Sequence, residues 1–143
     1  HWIAAGATTA KLRRWSLGAA AVWLAVALIG FPLMAPYFPA TALFEKAKTY
    51  LQPTMNFAAL EFEEPSLVWV FRSRIHGFAI EGLPPDQVRK FLATDGPHFV
   101  VLPTHLADRL YPTLPSGYRK FSTRGFNVAK GEWVNLTLIL KNA

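Results

Sequence analysis

Apolar and polar positions follow three different rules along this chain. From Trp15 to Met34 there is no charge, small or branched apolar residues occupy every face, and Ser16 is the single hydroxyl. About 20 residues at 1.5 Å each match a hydrocarbon core of roughly 30 Å, so this run predicts a transmembrane helix. A helix sealed inside a soluble core would normally keep a polar stripe, and about 110 further residues hardly suffice to wrap one on all sides. A cleaved signal peptide fits less well, because its apolar stretch would be shorter and followed by a small-residue cleavage site. Pro32, Pro36 and Pro39 are expected to end regular structure and give the chain a stiff exit.

Between Thr41 and Leu51 the period becomes helical: Leu43, Phe44, Ala47 and Leu51 share one face, and Glu45, Lys46 and Lys48 the other. This amphipathic helix either lies on the membrane surface or packs against the following domain. From Met55 onward strand and helix patterns alternate. Met55–Phe62 has strand composition, and Glu63-Glu64-Pro65-Ser66 suits a first helical turn, predicting a helix over Pro65–Ile75 that Gly77 stops. A short strand, Phe78–Glu81, precedes a second helix start at Leu83–Asp86, with Val88, Phe91 and Leu92 facing inward. His98–Leu102, an apolar run bounded by prolines, reads as a strand covered on both faces. Thr104 is expected to cap a third short helix through Leu110 and Tyr111, and Pro112–Gly117 to be a loop. Two long strands, Tyr118–Val128 and Glu132–Lys141, close the chain around Lys130-Gly131. The order predicts an α/β architecture: one transmembrane helix, then a small α/β sandwich with a mixed sheet and a C-terminal β-hairpin. The expected division is a membrane segment over 1–40 and an extracytoplasmic domain over 41–143.

Charge adds an orientation. Lys11, Arg13 and Arg14 precede the apolar run, whereas Tyr37 and Phe38 follow it, with no charge before Glu45. Cations favour the cytoplasmic side and aromatic rings the headgroup layer, so residues after about 35 are expected outside the inner (cytoplasmic) membrane, in the periplasm. That flank supplies three of the fifteen Lys and Arg, against nine Asp and Glu overall. The domain is therefore only mildly basic, without the dense stripe or module of a nucleic-acid reader, and contact with anionic lipid headgroups is the simpler expectation. The chain opens on His1 rather than Met and is expected to belong to a longer polypeptide; residues 1–10, small and apolar, read as the end of a preceding span or its loop.

Candidate chemistry is sparse. The chain has no cysteine, which excludes disulfides, thiolate metal ligands and a thiol nucleophile. His1, His76, His98 and His105 lack metal-site spacing, and no metal or other cofactor is expected in this segment. There is no Gly-rich phosphate loop, nucleophile elbow or His-Glu-x-x-His helix. Glu63 and Glu64 have the composition of an acid–base pair but the position of helix-dipole partners. Asn135-Leu-Thr137 fits the glycosylation sequon within a predicted strand, where a sugar is awkward. Arg119, Lys120, Arg124 and Lys130 on the terminal hairpin are the candidate contacts for lipid or another anionic ligand, unless they merely form a solvated strand edge.

Two stretches carry a resemblance. Phe62-Glu-Glu-Pro-Ser-Leu-Val-Trp-Val-Phe-Arg72 resembles the strand-to-helix junction of bacterial GT-C membrane glycosyltransferases of the protein-mannosyltransferase and lipid A aminoarabinose-transferase type. In those enzymes a tyrosine usually stands at the place of Val70. Arg124-Gly-Phe-Asn-Val-Ala-Lys-Gly-Glu-Trp-Val-Asn-Leu136 is similar to the hairpin closing their extracytoplasmic domains, with Gly125, Asn127, Lys130 and Gly131 at matching places. The resemblance covers roughly Trp15 to Lys141. It implies transfer of a sugar from a polyprenyl-phosphate donor at the outer membrane face, with the catalytic acid in an upstream loop, so no catalytic residue is expected in this segment. Its implied partners are membrane lipid, the polyprenyl-phosphate sugar donor and an upstream transmembrane domain of the same chain, over whose active site the segment forms a lid or support. A single-pass anchored binding or scaffold domain is the alternative, and an anchored hydrolase a more distant one.

Overall fold

A computed structural model describes residues 9–62 and 64–141. Contacts divide the chain after Ala35. The first unit is helical. Helix α1 (Thr9–Ala25), a π-helical turn (Val26–Gly30) and helix α2 (Phe31–Met34) run into a 3₁₀ turn (Ala35–Tyr37), forming one helical stretch, Thr9–Tyr37, of 29 residues. This stretch is long and apolar enough to cross a membrane, and none of its most apolar window is buried.

Contrary to the sequence expectation, Pro32 does not end it. A proline there has no N–H for the Leu28 carbonyl and crowds it with its ring. The preceding turn widens instead, and the Phe31 N–H reaches back five residues to the Val26 carbonyl. A π turn before a proline absorbs the clash locally and lets the helix continue.

In the second unit, helix α3 (Pro39–Ala47) is followed by strand β1 (Asn56–Ala59), helix α4 (Pro65–Arg72), strand β2 (Ala79–Ile80), a 3₁₀ turn (Pro85–Gln87) and helix α5 (Val88–Ala93). Strand β3 (His98–Pro103), helix α6 (Thr104–Leu110), strand β4 (Tyr118–Asn127) and strand β5 (Glu132–Lys141) complete it. The five strands form one mixed sheet in the order β2-β1-β3-β5-β4. β1 pairs in parallel with β2 and β3, while β5 runs antiparallel to both β3 and β4.

Period-2 alternation divides the core. Phe57, Phe99, Val101, Leu136, Leu138 and Leu140 face α3 and α4, and Ala58, Val100, Leu102 and Ile139 face α5 and α6. β3 is buried on both faces, as its uninterrupted apolar run requires. The first layer centres on aromatic rings: Phe57 stacks on Phe99 with centroids 5.1 Å apart, and Phe71 from α4 lies 5.1 Å from Phe99. Helix α3 packs on this layer through Leu43, Phe44 and Ala47, which decides the sequence's two options in favour of the sheet. It is shorter than the expected 41–51 and begins at Pro39, whose missing N–H costs nothing in a first turn.

Thr104 does not cap α6. Pro103 holds the N-cap position and offers no side-chain oxygen, and the Thr104 hydroxyl accepts a 2.9 Å hydrogen bond from Thr137 on β5.

Candidate functional site

After β1 the chain crosses by α4 to β2 on one side, then returns by α5 past β1 to β3 on the other, with α4 and α5 on opposite faces. Such a reversal opens a crevice outside the carboxyl ends of the parallel strands, where open α/β sheets bind ligands. Here β5 is paired with β3 only as far as Leu136, so the β4–β5 hairpin projects beyond Pro103 and overhangs the crevice. The result is an open basin of about 770 Å³.

Glu61 forms part of its floor. It is exposed and has φ +57°, the single non-glycine left-handed residue among those described. The reason lies in what surrounds it: Leu60 is buried on the α5/α6 face and Phe62 on the α3/α4 face. Ordinary strand alternation would send both to the same side, and the left-handed turn at Glu61 reverses the parity so that each reaches a core. Strain of this kind concentrates where a chain must present a side chain in a set direction.

The walls are charged. Lys46 from α3 reaches the outer edge of β4 and donates to the Ser122 carbonyl at 2.6 Å; His105 and Asp108 come from α6, and Arg124, Lys130, Glu132 and Trp133 from the hairpin. Arg124 lies over the Trp133 ring, 5.0 Å from its centroid, a cation–π contact that holds a positive charge at the basin wall. The turn beneath Lys130 is held by Asn127, buried, whose side-chain oxygen accepts the Lys130 N–H at 2.9 Å and whose carbonyl accepts the Gly131 N–H at 2.8 Å. The basin thus combines cations suited to phosphate or carboxylate with an aromatic wall suited to a sugar ring or apolar chain. Among the described residues no group of three or more His, Asp or Glu is arranged to hold a metal.

Of the four basic residues singled out in the sequence, the basin brings together Arg124 and Lys130. Arg119 lies on the opposite face of β4, 4.3 Å over the Tyr50 ring, and Lys120 is paired with Asp108. Glu63 lies outside the described residues; Glu64 stands at the N-cap position of α4 and accepts from the Ser66 hydroxyl at 3.1 Å. His98 is buried, with Nδ1 3.0 Å from the Gly96 carbonyl, and His76 is exposed away from the basin. Asn135 is exposed on β5 within the basin. Glu61 and Lys46 were not singled out for chemistry, His105 was weighed only as a metal ligand and Trp133 appeared only within the hairpin motif: Glu61 carries no backbone signature in its side chain, and the others converge only through tertiary packing.

Comparison of the chain with protein-family models, with curated proteins and with solved structures finds no match.

Proposed function

We propose that this chain is the last membrane helix and extracytoplasmic domain of a membrane glycosyltransferase that uses a polyprenyl-phosphate sugar donor. In this reading the chain crosses the inner membrane from the cytoplasm, and the domain from Pro36 lies in the periplasm. It covers or supports an active site whose catalytic acid belongs to another part of the polypeptide. The observation that carries the reading is the basin at the carboxyl ends of β1 and β3, where Arg124 lies over the Trp133 ring and Lys130 is a further lining cation. A polyprenyl-phosphate sugar offers complementary parts: a phosphate for a guanidinium and an ammonium, and a ring for an indole face. The apolar stretch Thr9–Tyr37 supports the same reading, since it is long and apolar enough to cross the kind of bilayer that a polyprenyl chain occupies.

Sequencing the coding region upstream of His1 tests it first: several further spans and an acidic residue in the first extracytoplasmic loop are expected, and a single span rules it out. In the membrane-embedded parent protein, Arg124→Ala combined with Lys130→Ala is expected to lower kcat/KM for the lipid-linked donor by roughly 10- to 100-fold, the loss of one or two charge-assisted contacts. Unchanged transfer after this pair, and after removal of residues 36–143, favours an anchored binding domain instead.

A further inference from the structure

The β4–β5 hairpin ends in an apolar tip. Val128 and Trp133 are 64% and 52% exposed, Ala129 is exposed beside them, and the Phe126 ring meets Trp133 edge-on with centroids 5.6 Å apart. Apolar side chains clustered on a surface in this way mark a contact with something other than water. What they contact follows from covalent connectivity. Gly125, at the base of the tip, packs so closely on Pro39 that a methyl group there would come within 2.7 Å of it, and Phe38 and Pro39 share an apolar groove with Phe126, Val128 and Ala129.

Pro39 is two residues beyond Tyr37, where the apolar helical stretch ends, and two residues extend at most about 7 Å. The hairpin tip thus packs on Phe38 and Pro39, the residues that directly follow Tyr37 along the chain. A bilayer core of roughly 30 Å takes up about 20 residues, which leaves the last turns, with Tyr37, at the level of the headgroups.

We propose that the hairpin tip is a second membrane contact, in which Phe126, Val128 and Trp133 enter the headgroup–acyl boundary and Arg124 and Lys130 meet the phosphates of anionic lipids. Trp prefers this layer because its ring is apolar and its N–H is not. Glu132 at the start of β5 and Glu61 in the basin offset part of the positive charge, so the apolar side chains carry most of the contact and the cations bias it toward anionic lipid. The contact closes the tip end of the basin against the bilayer. The proposal rests on the stretch Thr9–Tyr37 crossing the membrane and is independent of sugar transfer.

The absence of cysteine makes the test clean. Single nitroxide labels are placed in the full chain at Val128→Cys on the tip, at Val22→Cys in the middle of the apolar stretch, and at Asp95→Cys, exposed at the opposite end of β3. Each protein is reconstituted in nanodiscs of phosphatidylcholine, with and without phosphatidylglycerol, and accessibility to oxygen is compared with accessibility to an aqueous nickel chelate. The label at Val128 is expected to be reached by oxygen and at least several-fold less by nickel than the label at Asp95, with stronger protection in anionic discs. A Val22 label buried in lipid together with a Val128 label as open to nickel as Asp95 overturns the hairpin contact while leaving the span intact. Shielding of Val128 from both reagents indicates protein packing and overturns it too; a nickel-accessible Val22 label removes the membrane reading beneath both.

Discussion

At the scale of single residues, close approach of backbones sets the tolerance of this fold. A methyl group on Gly77 would lie 1.7 Å from the Met55 carbonyl oxygen, while the Gly77 N–H donates to the Pro53 carbonyl at 3.0 Å. Both partners are backbone, and neither retreats without moving the start of β1. Gly77→Ala is expected to cost about 3 kcal/mol, the upper end of overpacking penalties, seen as a lowered thermal midpoint by circular dichroism. A midpoint equal to that of the unaltered chain would show that the loop yields.

Tyr111 gives a titration on the other face. Its phenol is raised above the ordinary 10.0 first by burial and then by the neighbouring Tyr118, with Arg89 opposing. The folded state therefore holds this proton more tightly than the unfolded chain, so the stability it contributes is complete below pH 10 and is lost as pH rises through the folded value. Tyr111→Phe is expected to flatten the alkaline decline in denaturant midpoint, and an unchanged slope would assign that decline to other groups.

Elements show a different balance between local signal and tertiary demand. β3 was legible because prolines bracket an apolar run, and α4 because carboxylates and Pro65 mark its start. Pro32 misled because a helix can widen by one residue ahead of a proline and so absorb it. Thr104 misled because a hydroxyl at a helix start has two possible uses, and Thr137 on a distant strand took it. Arg119 and Lys120 were separable in principle: adjacent residues of a strand point to opposite faces, and the structure sends one over Tyr50 and the other toward Asp108. Glu61 was not legible, since the parity reversal between Leu60 and Phe62 is visible only once both layers of the core are known.

The same hydroxyls yield an element-scale prediction. Thr137, fully buried, donates to Thr104 on α6 at 2.9 Å and lies 2.8 Å from the Ser122 hydroxyl on β4, a chain that ties helix to hairpin. Thr137→Val keeps the shape and removes both bonds. It is expected to cost about 1–3 kcal/mol, because the half-buried Thr104 hydroxyl loses its donor. Hydrogen exchange should accelerate through Thr104–Leu110 while leaving β1 unchanged; uniform acceleration would mean that α6 does not open as a separate element.

For the whole molecule, the alternation of apolar periods was enough to give the architecture, an apolar helix followed by a mixed α/β sheet, because burial on two faces leaves a readable trace in β1, β3 and β5. The candidate site was half legible: the hairpin advertised its cations, but not which of them face the crevice, nor that Lys46 and His105 join them from two helices. The same distribution of burial predicts how the chain divides. Among the described residues, both core layers are built from residues after Pro36, within the second unit. About 100 residues with a two-sided core are enough for cooperative folding. Expressed from Pro36, the second unit is expected to fold without detergent, with a single sharp thermal transition and near-ultraviolet dichroism from its packed Phe and Tyr rings. Its hairpin tip should retain weak attachment to anionic vesicles, weaker than any helix gives, since an interfacial contact alone buries only a few apolar side chains. A broad transition with no near-ultraviolet signal would show that the sheet needs the bilayer to hold together, and that the two units are one cooperative body.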